Sequence, residues 1–323
     1  SKEGVEALRG SLTRGHPGYS PTSLERWASC PFAYFMGDIL GVTSVEEPEA
    51  VLSIDPLQRG ILVHDIMERL YRVLAGRSLL PLTGSTLREG LEEASALMDS
   101  SFSEFAESHP TGPEVFWEIE KERISRSVSS YMEAEAFEPG EFVPWKFEYS
   151  FGSRYGTRAV SFDTGERETE FYGRMDRIDR DGKGGFRVID YKTGRLQGKD
   201  DDLGGGSALQ LPVYLLAASS LLDADVGAGT ALYASVSTAG GKRSVTLRGS
   251  EWSRISGGFA RIIDVIVGGI ESGLFFAFPA RGGCRGCDAM AACPSSRISL
   301  FERKVTTDER CEGFIRMKQG GTE

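Results

Sequence analysis

The residues that decide the fold run from Glu170 to Gly194, EFYGRMDRIDRDGKGGFRVIDYKTG. They read as two strands joined by a tight turn over Asp181 to Gly185, where glycine-rich sequence interrupts the pattern. Strand residues alternate faces, so Asp190 and Lys192 share a side and Tyr191 takes the other. Phe186 and Val188 lie on the Asp190 side, making that face apolar at one end and charged at the other. Across the hairpin Asp176 comes within reach of Asp190, which puts two carboxylates and one ammonium at one spot. Carboxylates that close repel unless a cation lies between them, and oxygen ligands favour Mg²⁺ or Mn²⁺. A lysine beside such a metal can orient or deprotonate a water, or offset charge growing on a phosphate. An isolated Asp-x-Lys is more often a solvated strand face, so the assignment depends on its surroundings.

Upstream, Ser20-Pro21-Thr22-Ser23-Leu24-Glu25 carries helix-start chemistry, with either Ser20 or Thr22 as the cap, and its helix runs into Cys30-Pro31-Phe32. Asp55-Pro56-Leu57-Gln58 opens a second helix, Leu57 to Ala75, with Leu62, Ile66, Leu70 and Val73 as its apolar stripe. His64 lies off that stripe near Glu68, whose carboxylate is its ordinary structural partner. Two Ser- and Glu-rich helices follow, Ser85 to Ser108 and Pro113 to Ala136, with no evident chemistry. Glu141 to Phe151 reads as a strand with Trp145, Phe147 and Tyr149 on one face and Lys146 and Glu148 on the other. Glu148 is a candidate acidic ligand, although an exposed strand glutamate is the commoner case. After Gly194, the helix Ser207 to Leu222 places Gln210 and Tyr214 four apart on one face. Thr230 to Ser237 and Ser244 to Arg248 read as strands, and Glu251 to Ile270 as a helix. This order suits a mixed sheet sandwiched by helices.

The five cysteines are Cys30, Cys284, Cys287, Cys293 and Cys311. Cys284-x2-Cys287-x5-Cys293 sits in a Gly- and Ala-rich loop. Thiolates so spaced suit a tetrahedral zinc or an iron–sulfur cluster, with Cys30 or Cys311 as the fourth ligand.

G-x-x-D-R-x-D (Gly173 to Asp179) followed by V-I-D-Y-K-T-G (Val188 to Gly194) resembles the core of the PD-(D/E)XK nuclease superfamily, most closely its RecB-like branch. Gly60 to Glu68, GILVHDIME, is similar to the helix that supplies a metal-side histidine in that branch, and Gln210-x3-Tyr214 to the signature that follows its D-Y-K strand. Cys30 before the core and C-x2-C-x5-C after it resemble the nuclease domain of AddB-type helicase–nucleases, where four such cysteines bind a 4Fe-4S cluster.

The resemblance implies an α/β, restriction-endonuclease-like mixed sheet flanked by helices, with a helical insertion at 84–138 and a cluster loop at 284–293. It implies Mg²⁺ (or Mn²⁺) held by Asp176, Asp190, the Tyr191 carbonyl and His64. Lys192 would activate water, Gln210 and Tyr214 would position either the strand or Lys192, and Cys30, Cys284, Cys287 and Cys293 would hold the cluster, with zinc as the alternative. The activity implied is DNA exonuclease action in double-strand break repair and recombination, with a helicase domain or partner subunit. A silent DNA-end-binding scaffold and a CRISPR-associated exonuclease of the same branch are the alternatives.

The 323 residues allow one large domain, expected at 20–323 behind a flexible lead-in at 1–19, with the tail after Cys293 packing against a part outside this chain. The absence of a starting methionine fits an excised nuclease domain. No G-x4-G-K-[S/T] phosphate loop occurs, so no ATP motor is expected within these residues. No apolar run is long enough to span a bilayer and no secretory leader is evident, which makes the cytoplasm the expected compartment. A net charge of −10 argues against a free-standing DNA-binding module but not against a metal-holding nuclease.

Overall fold

The computed structural model describes residues 18–43, 52–137, 140–196, 203–238, 243–278, 284, 287–294 and 296–319. Most of the expected lead-in, 1–17, lies outside them, but Tyr19 belongs to the fold. It is buried, and its backbone bridges to Phe171.

Ser20, not Thr22, caps the first helix, α1 (Pro21–Ser29), accepting the Ser23 amide at 3.1 Å. Cys30 then starts the short α2 (Pro31–Tyr34), which passes into a π-helical turn, Phe35–Ile39. Asp55 and Gln58 close a capping box at the head of α3 (Pro56–Gly76). Its buried face carries Val63, Met67, Tyr71 and Leu74 as well as Leu62, Ile66 and Leu70, and Leu74 takes the place expected of Val73. The next helices are α4 (Leu87–Ser108) and α5 (Glu114–Phe137).

The strands β1 (Val143–Phe151), β2 (Val160–Asp163), β3 (Glu168–Phe171), β4 (Gly173–Arg180) and β5 (Phe186–Lys192) come next. Then α6 (Gln210–Leu222) leads to β6 (Gly229–Ser235), β7 (Ser244–Arg248) and α7 (Trp252–Glu271), with α8 (Arg297–Leu300) and α9 (Glu312–Lys318) in the tail. The main sheet has the order β1-β4-β5-β6-β7, with β5 and β6 parallel and every other pair antiparallel. It is therefore mixed, as expected. The expected first strand of the hairpin is split: Glu170 and Phe171 belong to a separate two-stranded sheet, β2-β3, that had no clear signal in the sequence.

Two cores flank the main sheet. On one side Phe186 and Val188 of β5 meet α1, α6 and α7; on the other, Ile189 and Tyr191 meet α3, α4 and α5. The period-2 alternation of β5 is thus realised residue by residue. Each fully buried Leu, Ile or Phe in these layers contributes about 1.5–3 kcal/mol. Part of the tail packs on this domain: Phe314 is buried in the first core, edge-on to Trp27 at 5.6 Å.

The expected single aromatic face of β1 is also corrected. A bulge falls between Pro144 and Lys146, and Glu148 adopts φ +46°. Phe147 consequently packs beside Tyr71 on the α3 side, while Tyr149 joins the opposite core.

Candidate active site and cysteine cavity

β4 and β5 pair regularly only from Arg177–Ile189 to Arg180–Phe186. Beyond that point the Asp176 side chain replaces the ladder: its Oδ2 accepts the Tyr191 amide at 2.7 Å. That bond turns the carboxylate toward the end of β5, where Asp190 and Lys192 stand. Glu148 reaches the same place from β1 through its left-handed backbone. Such a conformation costs a non-glycine residue roughly 1–3 kcal/mol and clusters at functional sites.

His64 enters from α3. Its Nε2 donates to the Tyr191 carbonyl at 2.9 Å, and Nδ1 lies 3.4 Å from Asp176 and 3.9 Å from Glu148. The structural partner expected from spacing, Glu68, instead pairs with Arg72 at 2.7 Å. Ligand atoms of His64, Glu148 and Asp176 all lie within 4.8 Å of one another. Burial alone would push His64 down, but hydrogen bonds to Asp176 and Glu148 and the nearby Asp charges raise it to about 10. The imidazolium therefore supplies positive charge among carboxylates and a carbonyl, the place a metal cation would take.

Asp190 is 2% exposed. Burial, then the charge of Asp176, raise its pKa to about 7 against the pull of Lys192 and His64. Lys192 Nζ lies 2.6 Å from Asp190 Oδ2 as an ion pair, yet that oxygen lacks an aligned hydrogen bond. The same ammonium donates to Gln210 Oε1 at 3.1 Å and sits 4.8 Å over the Tyr233 ring. Gln210 in turn donates to the Tyr214 hydroxyl at 2.9 Å. Tyr214 is buried behind Gln210 and not at the mouth, so of the two roles open to this pair the contacts made are those that orient Lys192.

The rear of the hairpin is also charged. Arg177, fully buried, donates to Asp179 at 2.5 and 2.9 Å, to Glu135 of α5 and to the Tyr191 hydroxyl at 3.4 Å. Glu135 also accepts from Tyr71, and Glu120 of α5 pairs with Arg59 of α3. One of the two helices expected to be without chemistry, α5, thus supplies two carboxylates that brace the site. Arg177 and Glu135 are 42 residues apart, so no local pattern could have paired them.

Cys30, Cys284, Cys287 and Cys293 line one cavity of about 440 Å³. The Cys30 sulfur accepts the Phe278 amide at 3.3 Å, and the Phe32 amide donates to Phe276 at 3.0 Å, which brings the two ends of the chain together. Burial pushes the Cys293 thiol up, Arg297 draws it down, and the other three thiols add to the rise. Cys311 is buried elsewhere, at 3% exposure.

The model of the PD-(D/E)XK nuclease superfamily matches residues 19–294, which include every site residue described above. The chain belongs to this superfamily. A match of that extent gives the strand-end carboxylates, the lysine and the helix histidine a common context. The chain is also similar to bacterial proteins named as a subunit of an ATP-dependent helicase/deoxyribonuclease. That of Thermoanaerobacter sp. (strain X514) is 29% identical over 205 residues, 61% of this chain and 17% of the relative. Those of Moorella thermoacetica and Acetivibrio thermocellus are 30% and 27% identical over 227 residues, 66% and 67% of this chain and 19% and 18% of the relatives. The chain spans less than a fifth of the length of these curated relatives. Among the described residues no helix is long and apolar enough to cross a membrane.

Proposed function

We propose that this superfamily member is a Mg²⁺-dependent DNA nuclease, an exonuclease serving double-strand break repair and recombination as the nuclease domain of a helicase–nuclease. The observation that carries the reading is the convergence of Asp176, Glu148 and His64 within 4.8 Å beside the half-satisfied Asp190. Asp176, Asp190, the Tyr191 carbonyl and His64, with Glu148, would hold Mg²⁺ or Mn²⁺. When bound, the ion neutralises phosphate charge and makes water more acidic. Lys192, held between Asp190 and Gln210, keeps donor capacity for the attacking water or the phosphate. Gln210 and Tyr214 fix its direction, and the Arg177 network fixes the strand that carries Tyr191.

The four thiols around one cavity fit a 4Fe-4S cluster held by Cys30, Cys284, Cys287 and Cys293, a structural staple tying 20–323 into one domain. Its partners would be DNA ends and a helicase domain or subunit, in the cytoplasm. The test uses anaerobically purified chain and linear DNA, with Mg²⁺ against EDTA, and quantifies iron and zinc in the same sample. Mg²⁺-dependent degradation together with iron is expected. Iron without cleavage under any metal favours the scaffold reading, and zinc alone overturns the cluster assignment.

A further inference from the structure

The sequence from Gly152 to Arg174 contributes nothing to the metal-facing set, yet it borders that set directly. Phe171, Gly173 and Met175 face the core, with Gly173 seated against the Phe151 ring, so Tyr172 and Arg174 face outward. Arg174 touches Glu148 at 3.4 Å, which puts this outward row on the side of the candidate metal ligands. Tyr172 is four residues from Asp176, about 13 Å along the strand.

A tight loop is clamped over Tyr172. Gly152 takes φ +101°, and a Cβ there would meet the Phe171 carbonyl at 2.6 Å and the Tyr172 side chain at 2.7 Å, so the loop sits hard against this strand. The turn Ser153–Tyr155 closes through Tyr155 N to Gly152 O at 3.0 Å, and Thr157 bonds the same carbonyl at 3.0 Å. This places Tyr155 edge-on to Tyr172 with ring centres 6.2 Å apart, and the Arg154 guanidinium 4.7 Å over the Tyr172 ring. Tyr155 is 47% exposed. Arg154 is exposed and forms no ion pair among the described residues, although the chain as a whole is acidic. Two rigidly placed aromatics and two arginines in a row match what an unstacked nucleic-acid strand needs: π-faces for bases and cations for phosphates.

We propose that Arg154, Tyr155, Tyr172 and Arg174 form a ledge that seats single-stranded nucleic acid beside the reacting phosphate. The proposal rests on the nuclease reading for the position of that phosphate, but not for binding. Stacking on tyrosine requires exposed base faces, which a base-paired duplex does not offer, so the ledge selects single strands or frayed ends.

The test is fluorescence anisotropy of a labelled oligothymidylate with the full 323-residue chain in EDTA, alongside hydrolysis of bis-p-nitrophenyl phosphate with Mn²⁺. Tyr155→Ala should weaken oligothymidylate binding about tenfold, and Tyr155→Phe should bind as wild type. Arg154→Ala should weaken binding and lower the salt dependence by about one phosphate contact. Hydrolysis of the small diester, which cannot span to the ledge, should not change in these variants. Unaltered oligothymidylate binding by Tyr155→Ala, no binding by the wild type, or an equal loss for blunt duplex and single strand would each overturn the ledge. If the wild type binds and Tyr155→Ala does not, yet neither DNA nor diester is cleaved with any metal, the ledge stands and the nuclease reading falls.

Discussion

The acidic pocket at the end of β4 and β5 and the cysteine cavity beside α2 differ in what holds their ligands in place. In the pocket every group has a protein partner: Asp176 holds the Tyr191 amide, His64 the Tyr191 carbonyl, and Lys192 bridges Asp190 and Gln210. The strands beneath are buried on both faces and braced by Arg177 and Glu135. At the cavity, local turns shape the 287–294 segment, and Phe278 and Phe276 are tied to Cys30 and Phe32 by one hydrogen bond each. The first site is preorganised by the protein; under the proposed function the second would gain order from the metal its thiols hold. Metal loss should therefore silence the first without unfolding it, and unfold the second.

The largest effect tests the first half of that contrast. Lys192→Ala or Asp190→Asn should lower Mg²⁺-dependent DNA cleavage on the order of 10³-fold, since both the charge and its orientation are removed. Iron content and melting temperature should stay near wild type. Wild-type cleavage by either variant ends the active-site assignment, and a collapse of melting temperature would mean the pocket is structural after all.

Next comes the cavity. Cys30→Ser should remove the bound metal and the visible absorbance, and cost about 2–5 kcal/mol, as when a long-range cross-link is lost from a small domain. Limited proteolysis should then cut first within 287–294. A Cys30→Ser protein that keeps its iron and its melting temperature would show that Cys30 is not a ligand. Cys311→Ser serves as control, since Cys311 is buried away from the cavity and should leave iron unchanged.

How much of this was legible in the sequence follows the same division. The hairpin, the Asp55 cap, a first cap at either Ser20 or Thr22, and the grouping of His64, Gln210 and Lys192 around one strand end came from local chemistry and motif order. Glu148 could be named as a candidate but not placed, because alternation alone puts it on a regular strand and its left-handed backbone breaks that rule. Glu135 and Glu120 were unreadable for a different reason. A glutamate on a helix rich in glutamates looks solvated until the sheet arginine or helix neighbour that pairs with it is known. The β2–β3 hairpin, four residues per strand, was too short to leave a period.

A smaller effect comes from pH. In the metal-free pocket Asp190 is raised to about 7, first by burial and then by Asp176, and His64 is raised to about 10 by its carboxylate partners in spite of burial. Both groups bind protons more tightly folded than unfolded, so the metal-free chain draws stability from them at low pH. Asp190's share is lost as pH rises to about 7, and His64's as pH rises through about 10. A cation must displace these protons. Mg²⁺ affinity should rise with pH below about 7, by up to about tenfold per unit for each proton released. Calorimetry in buffers of different ionisation heat counts those protons. A pH-independent affinity between about 5.5 and 7.5 would show that the cation displaces neither proton.

The smallest effect joins the two regions. α6 has no cap of its own; the Glu25 carboxylate of α1 accepts the amides of Leu209 and Gln210 at 2.6 and 3.0 Å. Glu25 stands five residues before Cys30, so the helix that leads into the cysteine cavity also seats the residue that orients Lys192. Glu25→Ala should cost about 1 kcal/mol, the usual worth of a helix cap, and shift the melting temperature by a few degrees. Because the loss falls on Gln210, kcat should drop several-fold while KM for DNA stays put, with iron unchanged. Glu25→Gln, which keeps an acceptor oxygen, should restore most of kcat. Equal losses in kcat for Ala and Gln would mean that the negative charge of Glu25, and not the cap, is what matters. No loss in either would leave the pocket and the cavity as independent sites on one scaffold.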